Sequence, residues 1–196
     1  MTATKTLATT QADKNLLAIV DVSHFKRFGA KGANAAEWLS GQGITLPESN
    51  NSWLDISPTS LAMRLGSSEF MLESQAPEDL PTLSNSAQFS TPGVYKVQRA
   101  DAAFIISGQH ALNLLSELCT LDLGTLDLAG ETLSKNNLLM TQIAGISAIL
   151  LKQSINGKDA YRIWCDGTYG HYLLETLLEI ATELGGGAFE FDAQTF

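Results

Sequence analysis

The sequence predicts an α+β fold made of two related β-α-β-β-α units with antiparallel sheets. Three observations carry that prediction. A strand, a glycine turn and a helix recur at a spacing of 76 residues, a hairpin pattern follows each of those helices, and a polar crossing separates the halves.

At that spacing Phe28 falls on Phe104, Gly32 on Gly108, Ala35 on Ala111 and Leu39 on Leu115, with Trp38 opposite Leu114. The first copy, "KRFGAKGANAAEWLSGQG", is expected to end its helix near Ser40, with Gly41 free to adopt the left-handed backbone of a C-terminal cap. The second, "AAFIISGQHALNLLSEL", starts its helix just after Gly108. Each then runs into a hairpin candidate. "LAMRLGSSEFMLE" turns at Gly66 and Ser67, and "ISAILLKQSINGKDAYRIWC" turns at Asn156-Gly157, a pair suited to a two-residue turn with positive φ at both positions. A long helix follows from about Thr168 to Leu184, with Asp166 or Thr168 as N-cap. Leu173, Leu177, Ala181 and Leu184 line one face, widened by Leu174 and Leu178. The matching helix of the first copy is degraded. The chain thus divides into a flexible tail at 1–15, a first unit at 16–73, a Ser- and Pro-rich linker or surface crossing at 74–93, and a second unit at 94–196.

Composition bounds what the chain can do. With 196 residues and 44% hydrophobic content it can bury a core without staples. Its net charge of −9 leaves the scattered basic residues no concentrated positive surface, which disfavours nucleic acid as a partner. No run approaches the ~18 apolar residues of a membrane span, and the polar opening "MTATKTLATTQADKN" has no apolar leader core, so neither membrane insertion nor secretion is expected. Two distant cysteines read as reduced thiols of a cytoplasmic protein.

The residues that could carry chemistry mostly have plainer roles. Cys119, in "SELCTLDL", lies four residues after Leu115 and eight after Ala111, on the apolar stripe of its helix and at the C-terminal end, where a thiolate is not stabilised. Asp122 and Asp127 match no calcium loop and are expected to face water or cap turns. His24, His110 and His171 are far apart in sequence and from the cysteines, so no zinc spacing exists. "GISAI" at Gly145 begins like a nucleophile elbow but has Ile149 where the second glycine belongs. "GAKGAN" at Gly29 and "GQG" at Gly41 fall short of a dinucleotide fingerprint. Glu175, Glu179 and Glu183 form an acidic stripe on the last helix, either a solvated face or a surface for a basic partner. Trp53 sits in a polar, loop-like segment as a binding anchor or a cover for a core edge. Arg64 and Glu69 in "RLGSSEF" suggest a local ion pair across the hairpin turn.

"DVSHFKRFGAKGANAAEWL" at Asp21 and "RLGSSEFML" at Arg64 resemble the opening of the glycine-cleavage T-protein family. "FIISGQHALNLLSELCTLDL", "TQIAGISAILLK" and "YRIWCDGTYGHYLLETLLE" resemble the gamma subunit of heterotetrameric sarcosine oxidase, whose length of about 200 residues also agrees. Together these stretches cover about Leu17 to Leu184. The resemblance implies a T-protein N-terminal-like fold and a non-catalytic accessory role in an oxidase of sarcosine or a related N-methyl amino acid, linked to one-carbon metabolism. It implies that FAD, FMN, NAD and tetrahydrofolate are held by other subunits, which are the expected partners, and it assigns no catalytic, cofactor-binding or metal residue to this chain. The T-protein-like opening leaves a stand-alone folate-binding module as the alternative.

Overall fold

The structure, a computed structural model, describes residues 12–76, 80, 91–123 and 136–192. They form two sheets. Sheet A has six strands in the order β11-β1-β7-β10-β9-β8, and sheet B has five in the order β3-β4-β5-β2-β6. The strands of sheet A are β1 (Ala18–Asp21), β7 (Asp101–Ser107), β8 (Leu138–Ile143), β9 (Ile146–Ile155), β10 (Lys158–Asp166) and β11 (Gly187–Ala188). Those of sheet B are β2 (Lys26–Lys31), β3 (Ser52–Ser57), β4 (Ser60–Arg64), β5 (Glu69–Ser74) and β6 (Tyr95–Val97). Among the described residues the α-helices are α1 (Ala35–Gly41), α2 (Ala111–Leu118) and α3 (Gly170–Glu183), the last preceded by a 3₁₀ turn at Gly167–Tyr169. None is long and apolar enough to cross a membrane.

The layers run helix, sheet, sheet, helix. α2 and α3 pack on the outer face of sheet A, where Leu114, Leu115, Leu173, Leu177 and Ala181 meet Phe104, Ile106 and Ile163. α1 packs on sheet B through Ala35, Trp38 and Leu39. Between the sheets, Val20, Phe25, Trp53, Met63, Met71, Ile105, Leu151 and Trp164 share one core. A strand's alternating faces thus serve two different cores, which explains the nearly unbroken apolar runs of β5, β7 and β10.

The 76-residue repeat is physical. Gly32 and Gly108 both have positive φ, +122° and +111°. A Cβ on Gly32 would stand 2.1 Å from the Gly93 carbonyl oxygen, and one on Gly108 2.6 Å from that of Leu16. The same backbone contact closes each turn: Asn34 N–H donates to the Gly93 carbonyl at 3.1 Å, and His110 N–H to that of Leu16 at 2.9 Å. Glycine is needed at both turns because another chain segment occupies the side-chain direction.

Those segments lead into β6 and β1, which exchange partners. β1 pairs antiparallel with β7, and β6 with β2, so each half contributes its first strand to the other half's sheet. The sheets are therefore not divided at the crossing. Most of residues 74–93, and the place of the first copy's degraded helix, lie outside the described residues, as does the tail up to residue 11. Asp13, within the expected tail, donates its N–H to the Gly185 carbonyl at 3.0 Å.

Asn156 and Gly157 turn the β9–β10 hairpin with φ of +51° and +77°. Asp166 caps the turn before α3 by accepting from Thr168 N–H at 2.9 Å. Two local expectations are corrected. The left-handed residue closing α1 is Gly43, at φ +82°, because the helix runs through Gly41 to a cap at Gln42. Trp53 is not in a loop: it lies in β3, 5% exposed, its backbone N–H bonded to the Asn136 carbonyl at 2.7 Å.

Candidate functional site

Strand alternation puts Arg162 and Trp164 of β10 on the inner face of sheet A, and Arg27 of β2 and Glu73 of β5 on the inner face of sheet B. Arg27 and Glu73 are register partners. Arg27 Nε donates to Glu73 Oε2 at 2.5 Å, while its Nη atoms donate to the carbonyls of Val22 and Ser23 at 3.0 Å and of Asp101 at 3.1 Å. From the other sheet Arg162 Nη2 donates to Glu73 Oε1, and Trp164 Nε1 donates to Oε2 at 2.6 Å. Glu73 is 1% exposed and Arg162 5%. One buried carboxylate thus ties the two sheets together through three donors.

The cluster holds two guanidinium groups for one carboxylate. The remaining positive charge is met through Gln153, whose Oε1 accepts from Arg162 Nη1 at 3.4 Å and whose Nε2 donates to Asp55 Oδ1 at 2.9 Å. Burial pulls the Arg162 pKa below its ordinary value, with Glu73 opposing the shift. Burial likewise raises the Asp55 carboxyl, opposed by the Gln153 hydrogen bond and the Arg162 charge. The Arg162 guanidinium lies over the Trp164 ring at 5.1 Å and over Phe25 at 6.0 Å. Such a cluster positions sheets; its charged groups already face one another.

Beside it, Arg99 Nη2 meets Glu69 Oε1 at 2.9 Å, and Nη1 stands 3.7 Å from Asp101 Oδ1. Arg99 Nε and Asp101 Oδ2 are buried without a hydrogen-bond partner among the described residues. Both residues line two clefts. One, of about 730 Å³, is bordered by His24, Lys26, Gly167 and His171; the other, of about 960 Å³, by Glu69, Met140, Ile149, Trp164 and Asp166. A third space of about 550 Å³ lies over the Gly108 turn between Lys14, Gln109 and Lys158.

The residues singled out in the sequence are distributed as follows. Cys119 is the C-terminal cap residue of α2, 8% exposed within the α2–α3 core, its Sγ 3.6 Å from Thr141 Oγ1. Cys165 is buried on β10, and burial with the nearby Asp101 and Asp166 pushes its pKa up to about 11. Asp122 is exposed, and Asp127 lies outside the described residues. His24 and His171 border the same cleft despite their distance in sequence, while His110 precedes α2. Among the described residues no group of three or more His, Cys, Asp or Glu could hold a metal ion. Ser147 lies within β9, not at a strand-to-helix turn. Glu175, Glu179 and Glu183 are exposed on α3. Arg64 does not pair with Glu69: it donates to the carbonyls of Pro47, Glu48, Gly66 and Ser67 at 2.9 to 3.3 Å and lies over Phe70, while Glu69 pairs with Arg99. The turn thus supplies Arg64 with oxygen partners of its own.

Sequence reasoning missed Arg27, Glu73, Arg99, Asp101 and Arg162. The available signal was Arg162 inside the apolar run "AYRIWC", a charge where both strand faces should be buried.

No family model matches the chain, and no curated protein matches it by sequence. Its structure is similar to a chain of the heterotetrameric sarcosine oxidase from Corynebacterium sp. U-96, with a TM-score of 0.69 and 18% identity over 91% of this chain and 90% of that one. It is also similar to the glycine cleavage system aminomethyltransferase T from Bartonella henselae, with a TM-score of 0.57 and 18% identity over 93% of this chain and 48% of that one. The chain thus spans about half of the aminomethyltransferase. The two sheets with their exchanged first strands form the α+β fold that this chain shares with a sarcosine oxidase chain and with part of a T-protein.

Proposed function

We propose that the chain is a non-catalytic accessory subunit of a heteromeric oxidase acting on sarcosine or a related N-methyl amino acid, working in the cytoplasm. The observation that carries this reading is the near end-to-end match, 91% against 90%, to a chain of a heterotetrameric enzyme. The interior supports it. The buried ionic residues between the sheets are turned toward one another, so this cluster holds the scaffold together. In this reading FAD, FMN, NAD and tetrahydrofolate are bound by the other subunits.

The test is co-expression with the products of neighbouring reading frames. A flavin-containing complex that includes this chain and oxidises sarcosine or another N-methyl amino acid is the expected result; a chain that purifies alone beside fully assembled neighbours overturns it. Calorimetry of the isolated chain with tetrahydrofolate separates this role from a stand-alone folate-binding module, which requires heat of binding at millimolar ligand.

A further inference from the structure

The inner face of sheet A extends beyond the cover of sheet B, and one row of side chains shows where that cover stops. Ala103 on β7, Trp164 on β10, Ile149 on β9 and Met140 on β8 are successive cross-strand partners. Trp164 is 1% exposed, Ile149 is half-buried and Met140 is 54% exposed. The row runs from the core onto the floor of the 960 Å³ cleft. A single exposed methionine needs no explanation, but three further observations converge here.

The first is the sheet edge. Among the described residues β8 is the outermost strand of sheet A on this side, and Leu138 N–H bonds to the Asn51 carbonyl while the Gln142 carbonyl accepts from Thr120 N–H. Residue parity therefore points the N–H and carbonyl of Met140 outward between them, with no partner among the described residues. The second is the pair of orphaned buried atoms, a donor on Arg99 and an acceptor on Asp101, in residues lining the same cleft. The third is charge: among the described residues Glu69, Asp101 and Asp166 border the cleft against Arg99 alone.

An occupant has to supply donors and acceptors together, an apolar group and positive charge. An anion or a nucleic acid fails the last condition. The geometry points to an extended segment of a partner polypeptide. It adds to the edge of β8 at Met140, lays an apolar side chain on Met140 and Ile149, and directs a Lys or Arg toward Asp101 and Asp166. This inference rests on the accessory-subunit reading and names the surface by which the chain joins its complex.

The experiment compares the full chain, Met140→Arg and Tyr95→Arg in assembly with the products of neighbouring reading frames, with hydrogen exchange followed along β8. Tyr95 is 61% exposed on β6 and serves as the remote control. The expected result is that Met140→Arg weakens assembly at least tenfold at an unchanged melting temperature, Tyr95→Arg assembles like the wild type, and the Met140 amide exchanges at least tenfold more slowly in the complex. If the complex forms equally well with Met140→Arg and the β8 amides are unaltered, the docking surface is wrong while the subunit role stands. If the Met140 amide is already protected in the isolated chain, another part of this chain covers the edge and the inference falls. If the wild-type chain joins no complex, the subunit role and the docking surface fall together.

Discussion

Glu73 on β5 and Trp164 on β10 hold equivalent places in the two copies, and they are bonded to each other at 2.6 Å. Glu73 faces Arg27 in register and Trp164 faces Ala103, two positions separated by the repeat spacing of 76 residues. In an approximate two-fold arrangement, equivalent inner-face residues meet where the halves meet. The charges themselves are not duplicated. Where the second copy has Arg162 opposite Ile105, the first has Met71 opposite Gly29, so the one carboxylate receives a cation from each copy.

Glu73→Gln should therefore destabilise the protein strongly while conserving shape. It removes the carboxylate that two buried guanidinium groups share, leaving Arg162 only the more distant Asp55 reached through Gln153, and breaking a buried pair in this way costs about 3–5 kcal/mol. For a chain of this size that corresponds to a melting temperature lowered by roughly 6–20 °C. Urea denaturation measures it, and a loss below about 1 kcal/mol contradicts the role assigned to Glu73. Replacing all three charges with apolar residues, as Arg27→Met, Glu73→Leu and Arg162→Met together, should recover most of the loss.

Gly32→Ala and Gly108→Ala should each cost more than about 2 kcal/mol, since the new Cβ meets a carbonyl oxygen across the strand exchange and the backbone must move. Gly157→Ala is the internal comparison. Gly157 also has a positive φ, +77°, but a Cβ there meets nothing within 4 Å among the described residues, and the expected cost is about 1 kcal/mol. Equal losses at all three sites, measured by chemical denaturation, would show that close approach is not what selects glycine at 32 and 108.

The features legible in the sequence were those encoded locally. Asn156-Gly157 announces its turn because both residues tolerate positive φ, and Leu173, Leu177 and Ala181 announce a buried helix face because burial repeats at the helical period. The strand exchange was not legible. Periodicity identifies a strand but does not name the sheet it joins, and β1 pairs with a strand more than 80 positions away. The ionic cluster was hidden for the same reason, with Glu73 and Arg162 separated by 89 residues. Trp53 was misplaced because the polar "NNS" before it reads as a turn, whereas only the two asparagines belong to the turn and β3 already begins at Ser52.

Trp53 and Trp164 should respond differently to the same substitution. Trp164 Nε1 donates to a buried carboxylate, so Trp164→Phe removes a charged hydrogen bond and should cost about 1.5–3 kcal/mol, beyond any loss of packing. Trp53 Nε1 is buried without a hydrogen-bond partner among the described residues. Trp53→Phe removes an unsatisfied donor along with some packing, and these offset to within about 1 kcal/mol of the wild type. Parallel urea titrations of the two variants decide the matter; a Trp53→Phe loss as large as that of Trp164→Phe would mean that the indole N–H is satisfied in solution.

Cys165 gives the alkaline limb of the stability profile a definite sign. Its thiol pKa is raised from 9.0 to about 11, chiefly by burial and then by the negative charges of Asp101 and Asp166. The folded state thus favours the neutral thiol. Below the unfolded value of 9.0 both states carry the proton, and the contribution to stability is fully present. As the pH rises from there toward about 11 the unfolded chain loses its proton first, so stability falls across that window. Cys165→Ala removes this component. Between pH of about 8.5 and 10.5 its unfolding free energy should decline less steeply than that of the wild type. Denaturation curves at several pH values measure both slopes. Parallel declines would show that Cys165 ionises in the folded protein as readily as in the unfolded chain, and would then require solvent access at a position the structure shows as 3% exposed.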